Sequence, residues 1–283
     1  MTSLMRIGFV HNQRVPGAFD LVKQVIERLK SCEEAWIRSA GELEQAHGGH
    51  PGVELIITVG GDGTILRAAR IAAPHDIPIL GINMGRVGFM TELAANLALD
   101  SVDAYLGDDV RIEERAMVQA RILPPRAGAG EPKGSEPLHA LNEVVIGNGG
   151  AARMVAIEVK IDGVPFTVYH ADSVIVATAT GSTGYALSAG GPILHPLSRD
   201  MLLKPVAAQL GFASALALPP GTAVELGVDS DHPTILSIDG FVEESLEEGS
   251  RVTVEASPYR ARFLRRQPVE HYYATLTQKL GQR

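Results

Sequence analysis

Short apolar runs and helically spaced apolar residues alternate along the first third of the chain. Met5 to Val10, MRIGFV, is a strand-like run closed by His11-Asn12. After a Pro16-Gly17 turn, Leu21, Val22, Val25, Ile26 and Leu29 repeat at helical spacing. They predict one buried face on a helix from about Phe19 to Lys30. Leu55 to Val59, LIITV, is uncharged and rich in β-branched residues, so it reads as a buried strand. It ends in Gly60-Gly61-Asp62-Gly63-Thr64. A second helical pattern starts there, with Ile65, Leu66, Ala68, Ala69, Ile71 and Ala72 on its inner side. Ile77 to Ile82 is a further strand and runs into Asn83-Met84-Gly85-Arg86-Val87-Gly88-Phe89-Met90. Strands alternating with helices imply a parallel sheet with right-handed crossovers. Ligands of such sheets bind beyond the carboxyl ends of the strands, where both glycine-rich turns stand.

From about residue 101 the pattern changes. A short helix is expected from Leu97 to Leu106, and an acidic patch leads into short strands and turns. The strands are Met117 to Leu123, Leu141 to Gly147, Met154 to Ile161, Phe166 to Tyr169 and Ser173 to Ala177. Asp162-Gly163 fits a hairpin turn. Pro124 to Pro137 has the composition of a hairpin loop, not of a linker between domains. Val269 to Leu280 is again helical and is expected to return to the first domain. The predicted organisation is an α/β nucleotide-binding domain of residues 1–100 with 266–283, and a mainly β domain of residues 101–265.

Composition narrows the function classes. The 283 residues are 45% hydrophobic and 20% charged, and the net charge of -8 comes with no dense basic cluster. That balance argues against nucleic acid and against an anionic membrane surface. No apolar run reaches the roughly 18 residues of a membrane span, and the N-terminus has no signal-peptide layout. Cys32 is the single cysteine, so no internal disulfide and no cysteine-based metal site is expected. Together these point to a cytoplasmic protein.

The chemistry concentrates in three stretches. In the Gly60–Thr64 turn the glycines let backbone N–H groups approach a polyphosphate, and the following helix N-terminus attracts anions. Asp62 is unusual there, because a carboxylate beside phosphates is repelled unless it has work to do. It either caps the helix or serves a sugar hydroxyl, its proton or a metal ion. Asn142-Glu143 opens the strand LNEVVIG, and for this pair alone a surface position is the simpler reading. The third stretch, TATGSTGYALSAGGP from Thr178 to Pro192, follows the buried strand SVIVA. It sets glycines and hydroxyls around Tyr185 and suits an adenine or ribose. GxSxG and GK[ST] are absent, which excludes a nucleophile elbow and a Walker loop.

Together GGDGTILRAAR, NMGRVGFMTEL, LNEVVI, HADSVIVATATGSTGYALSAGGPI and the later SIDG resemble the NAD kinases, in order and at the usual intervals. The resemblance runs from the first strand to about residue 241. GGDG alone is shared with lipid kinases and phosphofructokinases; its combination with NE and GSTGY is specific. The resemblance implies the NAD kinase-like fold: an α/β N-terminal domain with a parallel sheet, plus a mainly β, sandwich-like C-terminal domain. It implies transfer of the ATP (or polyphosphate) terminal phosphoryl group to the adenosine 2′-hydroxyl of NAD, giving NADP. It also implies Mg²⁺ or another divalent ion on the ATP phosphates, and a homodimer or homotetramer.

Carried over position by position, Asp62 is the proton acceptor or orients the hydroxyl, and Gly60, Gly61 and Gly63, with Thr64, form the phosphate turn. Asn142 and Glu143 hold ribose hydroxyls or the pyrophosphate region. Asp172, with His170 nearby, contacts the nicotinamide end. Thr180, Thr183, Gly184, Tyr185, Ala186, Leu187 and Ser188 form the adenine or ribose wall. Arg67 and Arg153 stand near these motifs and either pair with phosphates or are solvated. His195-Pro196 reads as structural. The chain departs from the family in three places. GSTGY has Gly184 where alanine is usual, which is expected to loosen the loop. SIDG is followed by Phe241 in place of glutamine, and Gln209 and Ser214 stand where a His and an Arg are common. Two other readings remain open at this point: a diacylglycerol-type lipid kinase, and a non-catalytic NAD(P)-binding regulator. Vesicle binding tests the first and turnover the second.

Overall fold

The computed structural model describes residues 5–29, 32–44, 52–85, 88–107, 109–123, 125, 134–150, 154–209, 212–230 and 232–281. The chain forms two compact units, residues 1–114 with 259–283 and residues 115–258.

The first stretch of chain alternates as β1 (Arg6–His11), α1 (Ala18–Arg28), β2 (Glu33–Ser39), α2 (Ala40–Glu44), β3 (Leu55–Gly60), α3 (Asp62–Ala72), β4 (Pro78–Asn83), β5 (Leu93–Ala94) and the short α4 (Ala98–Ser101). Then come β6 (Arg111–Leu123), β7 (Leu138–Ala140), β8 (Glu143–Asn148), β9 (Val155–Ile161), β10 (Val164–Ala171) and β11 (Ser173–Ala177). The turn of α5 (Tyr185–Ser188) precedes β12 (Met201–Val206), β13 (Leu216–Leu218), β14 (Val224–Val228), β15 (Thr234–Ile238), β16 (Val242–Leu246), β17 (Arg251–Arg265) and α6 (His271–Leu280).

In the first unit β2, β1, β3 and β4 pair in that order, all parallel, and residues 262–263 of β17 add a parallel partner outside β4. Strand alternation divides the side chains between the two faces. Ile7, Phe9, Leu55, Ile57, Val59, Leu80 and Ile82 pack with Leu21, Val22 and Val25 of α1. On the other face α3 lies so close to β4 that a Cβ at Gly81 would come 2.6 Å from Ile65 Cδ1. The doubly wound arrangement puts the ends of β1, β3 and β4 on one rim, as parallel crossovers require.

In the second unit β13-β12-β11-β8-β15-β16 is an antiparallel sheet. A second antiparallel set runs β10-β9-β14 and continues to residues 251–254 of β17. Val144, Ile146, Val174, Val176, Leu203 and Leu236 of the one face Ile157, Val159, Tyr169, Leu226, Val252 and Val254 of the other in a single core. That is a sandwich. The β9–β10 hairpin turns at Asp162-Gly163 with φ of 51° and 78°, the left-handed pair expected of such a turn.

Two elements differ from expectation. Residues 95–105 hold two 3₁₀ turns around the four residues of α4 in place of one helix. Asp100, Ser101 and Asp103 are residue types that favour turns over a helix interior. β2 carries no periodic signal in EEAWIRS. It is the edge strand, paired only to β1, and Trp36 packs over Gly8. Of the loop from Pro124 to Pro137, residues 124 and 126–133 lie outside the described residues. Among the described residues no helix is long and apolar enough to cross a membrane.

Candidate active site

In the first unit, β3 ends at Gly60 and α3 begins two residues later. Gly61 stands at the N-cap, and no side chain caps the helix. Asp62 therefore does not serve as a cap. Its carboxylate turns to the second glycine-rich stretch: Phe89 N donates to Oδ2 at 2.8 Å and Met90 N to Oδ1 at 3.1 Å. Met84 N donates to Gly60 O at 3.0 Å, so three hydrogen bonds stitch the two motifs together. A Cβ at Gly88 would fall on Asp62 Oδ1, which explains a glycine at that position. The Met90 segment is itself clamped. Buried Arg265 donates to Met90 O at 2.9 Å and pairs with Glu92 at 3.3 Å and Glu113 at 3.2 Å. Removing one partner of so dry a network costs more than a surface ion pair is worth.

Arg67 donates to Gly63 O, one turn back along α3, at 3.0 Å. Thr64 Oγ1 is buried without a hydrogen-bond partner. The Nζ of Lys279, on α6, lies 3.8 Å from Asp62 Oδ2 and 4.0 Å above the Phe89 ring. Burial pulls its ammonium below the usual lysine range, and the charge of Asp62 opposes that pull.

In the second unit, Asn142 and Glu143 stand where β8 begins, opposite the end of β11. Asp239, at φ 51°, accepts the backbone N–H groups of Leu141 (2.8 Å), Asn142 (2.7 Å) and Glu143 (3.0 Å). From the other side Thr178 donates Oγ1 to Leu141 O at 2.6 Å, and its N–H to Asn142 O at 2.8 Å. Gly181 then passes so near that a Cβ would collide with Asn142 O. The Asn142-Glu143 backbone is thus fixed, while its side chains are left wanting. Asn142 Oδ1, Glu143 Oε2, Ser173 Oγ and Thr180 Oγ1 are all buried with no partner. Burial, reinforced by the charge of Asp239, raises the Glu143 carboxyl from 4.5 to about 8. A neutral carboxyl there can donate as well as accept.

A cleft of about 260 Å³ includes one of these residues, Ser173, in its lining, with Val145, Gly147, Asn148, Asp172, Tyr185, Ile235 and Ser237. Tyr185 is 42% exposed where it lines this cleft. Thr183 Oγ1 donates to Thr180 O at 3.0 Å and Ser188 Oγ to Gly184 O at 3.4 Å, so both hydroxyls hold the loop itself. Leu187 is half-buried, whereas Ala186 is fully buried against Ile175, Ala177 and Leu202 and supports the wall from behind. His170 is exposed on β10, and its carbonyl accepts from Gln209 N at 3.0 Å. Arg153 lies outside the described residues. His195 holds a local turn, its Nδ1 accepting from Leu197 N at 3.3 Å.

Sequence reasoning assigned no role to Asp239 or Lys279. The first had a signal, since Asp-Gly after an apolar strand marks a turn whose carboxylate is free to reach a neighbouring backbone. The second had none: one lysine on a terminal helix says nothing about where it lands.

Comparison with known proteins agrees with this geometry. The ATP-NAD kinase N-terminal domain matches residues 42–110, and the ATP-NAD kinase C-terminal domain matches residues 141–266. The NAD kinase of Dehalococcoides mccartyi strain CBDB1 is 38% identical over 276 residues, 97% of this chain and 95% of the relative. This chain belongs to the NAD kinase family. The NAD kinase of Chloroflexus aurantiacus strain J-10-fl is 35% identical over 284 residues, 98% of this chain and 99% of the relative. Among solved structures, an Archaeoglobus fulgidus NAD kinase in complex with ATP has a TM-score of 0.75 at 26% identity, covering 97% of this chain and 99% of its own. The fold is also that of yeast NADH kinase in complex with NADH, with a TM-score of 0.84 at 21% identity, covering 99% and 89%.

Proposed function

We propose that this NAD kinase transfers the terminal phosphoryl group of ATP to the adenosine 2′-hydroxyl of NAD. The 2′-oxygen attacks the γ-phosphorus, the bond to the bridging oxygen breaks, and ADP and NADP leave. The observation that carries this reading is the set of buried, unpartnered oxygens on Asn142, Glu143, Ser173 and Thr180. A fixed, dry group of polar atoms without partners is costly unless a ligand rich in hydroxyls supplies them. Ribose does so, with Asn142 and Glu143 on its hydroxyls, Tyr185 against the adenine or ribose, and Asp172 toward the nicotinamide end.

In the first unit, the Gly60–Gly63 turn and the uncapped start of α3 receive the phosphates. Asp62, aimed by Phe89 N and Met90 N, orients the hydroxyl and takes its proton. Phosphoryl transfer needs positioning and charge neutralisation more than covalent help, which suits so rigid a carboxylate. The divalent ion arrives with the donor as Mg–ATP. Mg²⁺ commonly rests on substrate phosphates, and those phosphates would hold it here.

The enzyme acts as a homo-oligomer in the cytoplasm. The lone Cys32 fits a reducing compartment. β10 ends its sheet and exposes Val164, Phe166 and Val168 at 65, 40 and 42%. Such an edge is suited to a second copy.

The test is turnover. Purified protein receives NAD, ATP and Mg²⁺, and NADP is detected with a dehydrogenase that accepts only NADP. Product formation is expected. Tight NAD binding without product overturns the kinase reading in favour of a regulator, and product from polyphosphate alone overturns ATP as donor.

A further inference from the structure

Asp62 faces a problem of charge. Its carboxylate belongs beside a polyphosphate, and the two repel at close range. Arg67, the nearest cation in sequence, is bound back to its own helix at Gly63 O. The cation that does face Asp62 comes from the far end of the unit: Lys279, in the last turn of α6. Its side chain is 24% exposed and that of Asp62 is 28% exposed, so the pair sits in a partly dry recess that still opens to solvent.

The geometry is that of a loosely held ammonium. At 3.8 Å from Asp62 Oδ2 it feels the carboxylate but is too far for a hydrogen bond. Asp62 does not need it, since Phe89 N and Met90 N already fill one lone pair on each oxygen. The ring of Phe89, 4.0 Å from Nζ, holds the cation from below. Burial taxes this ammonium, and the neighbouring Asp62 carboxylate offsets only part of that tax.

We infer that Lys279 is a phosphate ligand for the transferring phosphoryl group: its ammonium takes phosphoryl oxygens arriving at the Gly60–Gly63 turn and screens them from Asp62. The inference rests on the phosphotransfer reading above. The ligand class is a polyphosphate donor, and the bond is a charge-assisted N–H···O contact on a flexible stem. No proton transfer is required of Lys279. It lets a carboxylate and a phosphoryl group occupy neighbouring positions.

The experiment compares wild type, Lys279→Met and Lys279→Arg. Methionine keeps the apolar stem over Phe89 and removes the charge. For Lys279→Met the KM for ATP is expected to rise about tenfold or more and kcat to fall. The KM for NAD should stay within about twofold. Lys279→Arg should recover most of the loss, and both variants should melt within a few degrees of wild type. A merely structural lysine would give neither the split between the two substrates nor the recovery by arginine. Kinetics of Lys279→Met within twofold of wild type overturn the inference, as does a loss that arginine fails to restore. Calorimetric titration with Mg–ATP in the absence of NAD reads the same role without turnover, and equal affinity for wild type and Lys279→Met also overturns it. A wild type that binds Mg–ATP tenfold tighter than Lys279→Met but makes no NADP supports Lys279 as a phosphate ligand while sinking the kinase reading.

Discussion

Asp62 and Glu143 are both carboxylates beside a glycine-rich turn, and the fold treats them in opposite ways. Asp62 has a hydrogen bond on each oxygen and a cation nearby. Glu143 has its backbone fixed by Asp239, yet Oε2 is buried with no partner and the carboxyl is pushed up to about 8. A satisfied carboxylate is aimed and waits for a reacting atom. An unsatisfied one waits for a ligand to complete it. The contrast teaches that a catalytic group and a binding group are told apart by what their surroundings leave undone, more than by residue type.

The strongest way to break the contrast is Asp62→Asn. An amide keeps the shape but cannot take a proton, and turnover should fall about 100- to 10,000-fold. The KM for NAD should change little, because substrate binding is assigned to the second unit. Steady-state NADP formation measures both, and near-normal turnover would remove Asp62 from the reaction. Next comes Gly181→Ala. Its methyl group meets the Asn142 carbonyl, a backbone atom that cannot step aside, so the loop or the Asn142-Glu143 backbone must shift. The cost should be about 1–3 kcal/mol by denaturant titration, with weaker NAD binding in the same protein.

Glu143 sharpens the comparison through pH. Between its ordinary 4.5 and about 8 the folded protein binds a proton that the unfolded chain has released. Stability of the ligand-free protein should therefore fall as pH rises through that window, at up to about 1.4 kcal/mol per pH unit for one proton. Glu143→Gln should flatten the slope, and thermal melts from pH 5 to 8 check it. The smallest effect belongs to Gly184→Ala. A Cβ there lies 3.2 Å from both Glu143 Oε2 and Gly181 O, tight but movable. Lower backbone entropy in the unfolded chain favours alanine by about 0.4–1 kcal/mol, while the contact and a backbone at φ −94° and ψ −126°, outside the regions an L-residue prefers, oppose it. A melting shift of a few degrees at most is expected, with a modest change in the KM for NAD. The expectation that this glycine loosens the loop takes a specific form: the room it leaves lies directly against the Glu143 carboxyl.

Much of this was legible along the chain because it is local. The β3–α3 turn, the Asp162-Gly163 hairpin and the strands on either side of Glu143 each follow from a short run of residues. β2 was not legible, since an edge strand needs only one partner and carries no two-sided apolar pattern. Neither was the arrangement that completes each carboxylate. Asp239 reaches Glu143 from 96 residues away, and Lys279 reaches Asp62 only because α6 returns to the first unit. Sequence showed which groups had chemistry; tertiary pairing decided which of them are free to use it.

The division of the chain also has a temporal side. Residues 115–258 form one unit, and the other needs both 1–114 and 259–283. A ribosome finishes the sandwich while the parallel sheet still lacks the β17 segment beside β4, the Arg265 clamp on Met90 and the ammonium near Asp62. Nascent chains can therefore complete the surroundings of Glu143 before those of Asp62. Asp62 gains its full setting only when α6 has been made.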